Sequence, residues 1–165
     1  MDTLAPTATS ATADRAALRD LYEDYAACLD AEDFAAFPDF FTEDALYQVI
    51  SRENHDAGLR HAPIYCSSRA MIVDRLMALK EAALYQPRSL RHFISGVRIT
   101  SGEGAELRAQ ANFLIVESLL EQDPQVLMVG RYLDRIVRTT EGLRFAERSC
   151  VYDNYRIRTT LVIPV

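Results

Sequence analysis

The sequence predicts an α+β fold: a cone in which a curved antiparallel sheet packs on N-terminal helices. Three observations carry this prediction. Apolar residues in the first half recur at helical spacing, while the second half holds long strand-like stretches. Those stretches are separated by short Gly and Pro turns, which join antiparallel neighbours. Long antiparallel strands twist and bend into a concave face, and the apolar helix faces need such a surface to cover.

The elements follow in order. Residues 1–12 are small and polar with one proline, and read as a mobile tail with no basic and apolar regions of a secretory signal. A single domain over 13–165 follows, ordinary for this length. Ala17, Leu18, Leu21, Tyr22, Tyr25 and Leu29 place a helix over 13–30, and a short second helix is expected over Asp33–Phe40. Residues 45–52 alternate as a strand, with Tyr47, Val49 and Ser51 on one face. His55 and His61 flank Gly58 and read as loop residues. A third helix is expected from Ser68 to Leu84, carrying Ile72, Leu76, Leu79 and Ala83 on one face, with Ser67 or Ser68 as its cap and Pro87 beyond its end. Four strands then run over 90–100, 105–121, 125–139 and 143–155 as a meander.

Composition narrows the function classes. The 165 residues are 49% hydrophobic and 25% charged with a net charge of −6, which suits a globular protein and argues against a nucleic-acid partner. No run of about 20 apolar residues is present to span a membrane. Cys28, Cys66 and Cys150 are far apart and read as free thiols in a reducing cytoplasm.

The stretch FTEDALYQVISRENHDAG concentrates acids and a histidine, and His55, His61 and Asp56 could compose a two-histidine, one-carboxylate iron set. A loop is a poor scaffold for such a set, so no metal site is assigned. No cysteine lies near a histidine, which disfavours a Rieske cluster or structural zinc. No nucleophile elbow or phosphate loop is present, and no catalytic or cofactor-binding residue is assigned. Acid–base chemistry remains as an alternative: Asp30, Tyr47 and His92 could line the cone's pocket and serve a dehydratase or isomerase. Arg131, Tyr132, Arg148, Tyr152 and Tyr155 read either as cross-strand ion-pair and packing residues or as an interface. The apolar end TTLVIPV, with Leu161, Val162 and Ile163, is expected to dock on this subunit or a neighbour, and it is the second candidate patch for a self-associating trimer.

The ordered series FFTEDALYQVISRENHDAGL, RAMIVDRLMALKEA, RHFISGVRI, GRYLDRIV, LRFAERSCVYDN and TLVIPV resembles the small (β) subunit of aromatic-ring-hydroxylating dioxygenases, over about Leu18 to Val165. SRENHDAGL is most similar to members acting on aromatic carboxylic acids. The resemblance implies a cone like that of nuclear transport factor 2 and an α3β3 hexamer. It also implies a partner α subunit that carries the Rieske [2Fe-2S] cluster and the mononuclear iron, with no cofactor in this chain. It carries over no catalytic residue.

Overall fold

The computed structural model describes residues 8–82, 88–157, 161 and 163–165. Helix α1 (Ala8–Asp30) leads into a 3₁₀ turn (Phe37–Phe40), strand β1 (Phe41–Ser51), helix α2 (Arg52–Asp56), strand β2 (Ile64–Cys66) and helix α3 (Arg69–Ala82). The meander β3 (Arg88–Glu103), β4 (Glu106–Leu119), β5 (Gln125–Thr139) and β6 (Gly142–Tyr152) completes one six-stranded sheet, ordered β2-β1-β6-β5-β4-β3.

The helical spacing holds where packing enforces it. Leu18, Leu21, Tyr22, Tyr25 and Leu29 are all buried along one side of α1, each worth about 1.5–3 kcal/mol when removed from water. α1 starts at Ala8, so five residues of the expected tail are helical. Over 33–40 the sequence makes turns and a single 3₁₀ segment rather than an α-helix, because Pro38 can serve only an opening turn. Ser68 caps α3, its hydroxyl accepting from Met71 N at 3.2 Å. Ile72, Leu76 and Leu79 are buried; Ala83, Leu84 and Pro87 lie outside the described residues.

The sheet departs from the expected antiparallel pattern at one seam. β1 pairs in parallel with β6, placing Tyr47 beside Arg148 and Val49 beside Cys150. The whole meander separates these strands in sequence, so no tight turn dictates their direction. Tyr47 and Val49 do face the core, while Ser51 sits at the strand end and caps α2 by accepting from Asn54 N at 3.2 Å. His55 therefore lies in a short helix rather than a loop.

Two glycines shape the meander. Gly96 takes φ +63° at the irregularity between Ser95 and Arg98, bending edge strand β3. Gly130 lets β5 press against β6: a Cβ there would run into Val151 O and come within 2.8 Å of Tyr152 Cα and 2.9 Å of Phe113 Cζ.

Candidate functional site

The cone's interior holds a buried polar cluster. Asp134 on β5 and Arg148 on β6 are in cross-strand register, and both side chains are 0% exposed. Arg148 Nε donates to Asp134 Oδ1 at 3.0 Å and Nη2 to Oδ2 at 2.8 Å. Tyr22 on α1 donates its hydroxyl to the same carboxylate. The guanidinium carbon lies 3.7 Å from the centroid of Phe145, 4.1 Å from Tyr25, 4.2 Å from Tyr132 and 4.7 Å from Tyr22. Burial alone would depress the Arg148 pKa, but the adjacent Asp134 carboxylate outweighs it and holds the group firmly protonated. Burial pushes the hydroxyls of Tyr22, Tyr25, Tyr47 and Tyr132 well above the ordinary tyrosine value, so each stays neutral.

The last residue of the sequence enters this interior. Tyr25 donates to Val165 O at 2.5 Å, and Cys150 Sγ lies 3.2 Å from the same oxygen. Val165 N donates to the Tyr47 hydroxyl at 2.8 Å. Ile163, Pro164 and Val165 are all buried. Arg148 Nη1 and the Tyr132 hydroxyl have no hydrogen-bond partner here.

Of the three pocket candidates, two meet. Asp30, at the end of α1, accepts from His92 N at 3.0 Å and lies 2.7 Å from His92 Nδ1. Burial raises the Asp30 pKa, but the hydrogen bonds and charge of His92 outweigh it and hold the carboxyl below its usual value. The His92 side chain is fully buried and its Nε2 has no partner. Tyr47 is not part of this pair; its hydroxyl is committed to Val165.

The interface candidates divide. Arg148, Tyr132, Tyr152 and Ile163 are core residues, which corrects their assignment to an intersubunit surface. For Arg148 the reason is a bulge. Phe145 faces Ile136 and Glu147 faces Arg135, leaving Ala146 as an extra residue that turns Arg148 inward. Arg131 and Leu161 are half-buried, with Leu161 O accepting from Arg75 Nη2 at 3.1 Å. Tyr155 is 86% exposed, and Val162 lies outside the described residues. Asp134, Tyr22 and Tyr25 were not foreseen as site residues, although Asp134 shares its strand face with Tyr132 and Ile136 and could have been read as inward from that alternation.

The acidic stretch over β1 and α2 is held by local contacts and by Arg69. His55 Nδ1 lies 3.1 Å from Asp56 Oδ1, while Asn54 Nδ2 donates to His61 O at 2.8 Å and closes the loop. Glu43 accepts from Arg69 at 2.8 Å. Among the described residues no three His, Cys, Asp or Glu side chains gather as a metal-holding group.

Comparison with known proteins places this geometry. Residues 10–149 match the model of the SnoaL-like domain. The chain is 32% identical over 141 residues to the small subunit of anthranilate 1,2-dioxygenase from Burkholderia cepacia, covering 86% of this chain and 88% of that protein. It is 31% identical to subunit beta 2 of the terminal oxygenase component of terephthalate 1,2-dioxygenase from Comamonas sp, covering 86% and 92%. A solved structure from Novosphingobium aromaticivorans, the beta subunit of a provisionally assigned aromatic-ring-hydroxylating dioxygenase, superimposes with a TM-score of 0.86 at 35% identity, covering 94% of this chain and 99% of that one.

Proposed function

The chain belongs to the SnoaL-like domain family and, within it, to the small subunits of aromatic-ring-hydroxylating dioxygenases, and from that membership we propose that it is the non-catalytic β subunit of a multicomponent oxygenase acting on an aromatic carboxylic acid. The observation that carries this reading is the filled cone. A stand-alone enzyme of this architecture needs an open pocket between sheet and helices. Here Arg148, Asp134 and four aromatic rings occupy that space. Val165 engages Tyr25, Tyr47 and Cys150, three groups that a ligand would otherwise meet.

The Rieske cluster and mononuclear iron belong, in this reading, to the α subunit. This chain's residues do not fit either group: His92 is tied to Asp30 and His55 lies against Asp56, Cys28, Cys66 and Cys150 are free thiols, and among the described residues no three His, Cys, Asp or Glu side chains gather. An α3β3 assembly with a trimer of this chain is part of the proposal. It is supported by an apolar row on the sheet face turned away from the helices, where Phe93, Leu114 and Val129 are cross-strand neighbours. Phe93 is 56% and Val129 42% exposed, more than a lone subunit needs. A cytoplasmic setting suits the free cysteines, and among the described residues no helix is long and apolar enough to cross a membrane.

Tagged chain co-expressed with the large subunit of a Rieske-type oxygenase from its own gene cluster should retain that subunit in a fixed ratio. Oxygen-dependent hydroxylation of an aromatic acid should then need both chains and an electron donor. Turnover by this chain alone, or failure to co-purify, overturns the reading. The Asp30–His92 pair favours a second reading, a cone-fold dehydratase or isomerase. His92→Ala would cost such an enzyme about a hundredfold or more in rate, while in the β-subunit reading it lowers stability and leaves the intrinsic turnover of the assembled oxygenase unchanged.

A further inference from the structure

We propose that Asp30 guards the open edge of the sheet, so that copies of this chain do not join strand to strand through β3. The proposal goes beyond the β-subunit reading and does not depend on it. β3 is the outermost strand at one end of the sheet, and at 16 residues it is the longest of the six. A long edge strand is a template for another chain, because it presents a row of N–H and C=O groups to no neighbouring strand. The opposite edge carries little of this risk, since β2 has only three residues.

The His92 amide shows where β3 is open. His92 lies opposite Ile115 of β4, yet its N–H donates to Asp30 Oδ1 at 3.0 Å and so points to the free side. Antiparallel pairs alternate between residues that exchange bonds with the partner strand and residues that turn both groups away. The register with β4 runs unbroken from Arg88 to Ser95, so Leu90, His92 and Ile94 all turn their N–H and C=O outward. That row is its own complement. A second copy running antiparallel about His92 would set Leu90 of one chain against Ile94 of the other. Beyond Ser95 the edge is already broken, by irregularities between Ser95 and Arg98 and between Ile99 and Ser101, with Gly96 at φ +63°. The open row is thus residues 90–94, and Asp30 stands at its centre. The carboxylate takes the amide about which the pairing would form, and an incoming strand would bring a carbonyl oxygen against it, two acceptors with no proton between them. His92 Nδ1, at 2.7 Å from Oδ1, holds the carboxylate in place. Helix α1, which ends at Asp30, packs along β3 and delivers the group to this point.

The test compares the full chain with Asp30→Ala and with Ile163→Ala, a core variant that leaves Asp30 and His92 in place. Light scattering and amide exchange are read from dilute to concentrated solution. In the dilute wild type the His92 amide should exchange about tenfold or more slowly than in dilute Asp30→Ala. On concentration Asp30→Ala should form species larger than the wild type reaches, with protection rising at Leu90, His92 and Ile94 together. Asp30→Ala that keeps the wild-type size throughout overturns the guard. Growth matched by Ile163→Ala also overturns it, by assigning the effect to lost stability, and so does growth in which the 90–94 amides still exchange fast. The wild type alone gives a reading that needs no variant. Protection at Leu90 and Ile94 that rises with its concentration would show copies pairing along the edge despite Asp30, and would overturn the guard as well.

Discussion

Arg148 and Asp134 face each other across β5 and β6 as a two-bond ion pair, at 3.0 and 2.8 Å, with neither side chain exposed to solvent. Two charges taken out of water cost several kcal/mol each, and their attraction must offset that cost. Tyr22 supplies a further bond to the carboxylate, and four ring faces surround the cation. Removing one partner leaves a buried charge alone. Arg148→Met or Asp134→Leu should each therefore lower stability by about 3–5 kcal/mol. The double variant should recover much of the loss, since no uncompensated charge remains. Urea unfolding of the three variants gives the cycle; additive losses would show that the two groups are not coupled.

The buried end carries a prediction for the apolar tail, which the sequence expects to dock on this subunit or on a neighbour. Ile163, Pro164 and Val165 are core residues, and Val165 satisfies Tyr25 and Tyr47. Ile163→Ala should cost about 2–5 kcal/mol, and deletion of Ile163–Val165 should cost more because two buried tyrosine hydroxyls lose their partner. Thermal melts beside light scattering separate fold from assembly. A truncated chain that melts like the full one while losing its oligomeric state would return the tail to the surface.

The sequence was most legible where the deciding contacts are local. The Leu18-to-Leu29 stripe and the Ser68 cap depend on neighbours a turn away, and both are as the spacing implied. The four-strand meander was legible from its turns. The parallel β1–β6 seam was not, because nothing between 41 and 152 fixes the direction in which β1 meets β6. Nor was the interior site. Tyr25 meets Val165 across 140 residues and Tyr22 meets Asp134 across 112, distances at which periodicity carries no information. Arg148 was misplaced for a narrower reason: strict alternation from Phe145 puts it on the outer face, and the extra residue Ala146 shifts that alternation and brings it to the core face. The Asp30–His92 pair was legible as chemistry, since a helix end and a strand start carry the two groups. Tyr47 was drawn into the same set only because it too faces inward.

Gly130 gives a prediction on the packing between sheet strands. Its missing side chain is what allows the Phe113 ring and the β6 backbone to close over it, and a methyl group there would meet main-chain atoms that cannot swing away. Gly130→Ala should destabilise by about 1–3 kcal/mol or more through overpacking, despite the gain in chain stiffness that alanine brings to a strand. Gly104→Ala is the contrasting case, since no atom lies within 4 Å of a Cβ there and only its φ of +58° resists the change. Equal stability of the two variants by urea unfolding would mean that β5 and β6 can separate without cost.

The Asp30–His92 contact sets a pH dependence whose sign follows from the carboxyl. Asp30 titrates below its usual value in the folded chain because the bonds from His92 outweigh the effect of burial. The unfolded carboxyl takes up its proton near about pH 3.9. A group whose folded pKa is depressed contributes stability that is full above the unfolded pKa and is lost as pH falls through the folded one. The stability gap between wild type and Asp30→Asn should therefore be constant from about pH 7 down to about pH 5 and close progressively below pH 4. Arg91, whose Nη1 lies 3.4 Å from Asp30, is 67% exposed and adds little to this, so Arg91→Gln should leave the profile nearly unchanged. His92→Ala should remove most of it. Chemical denaturation across pH 2–7 reads all three. A gap that widens on acidification would mean that Asp30 is held protonated in the fold, the opposite of what its bonds to His92 require.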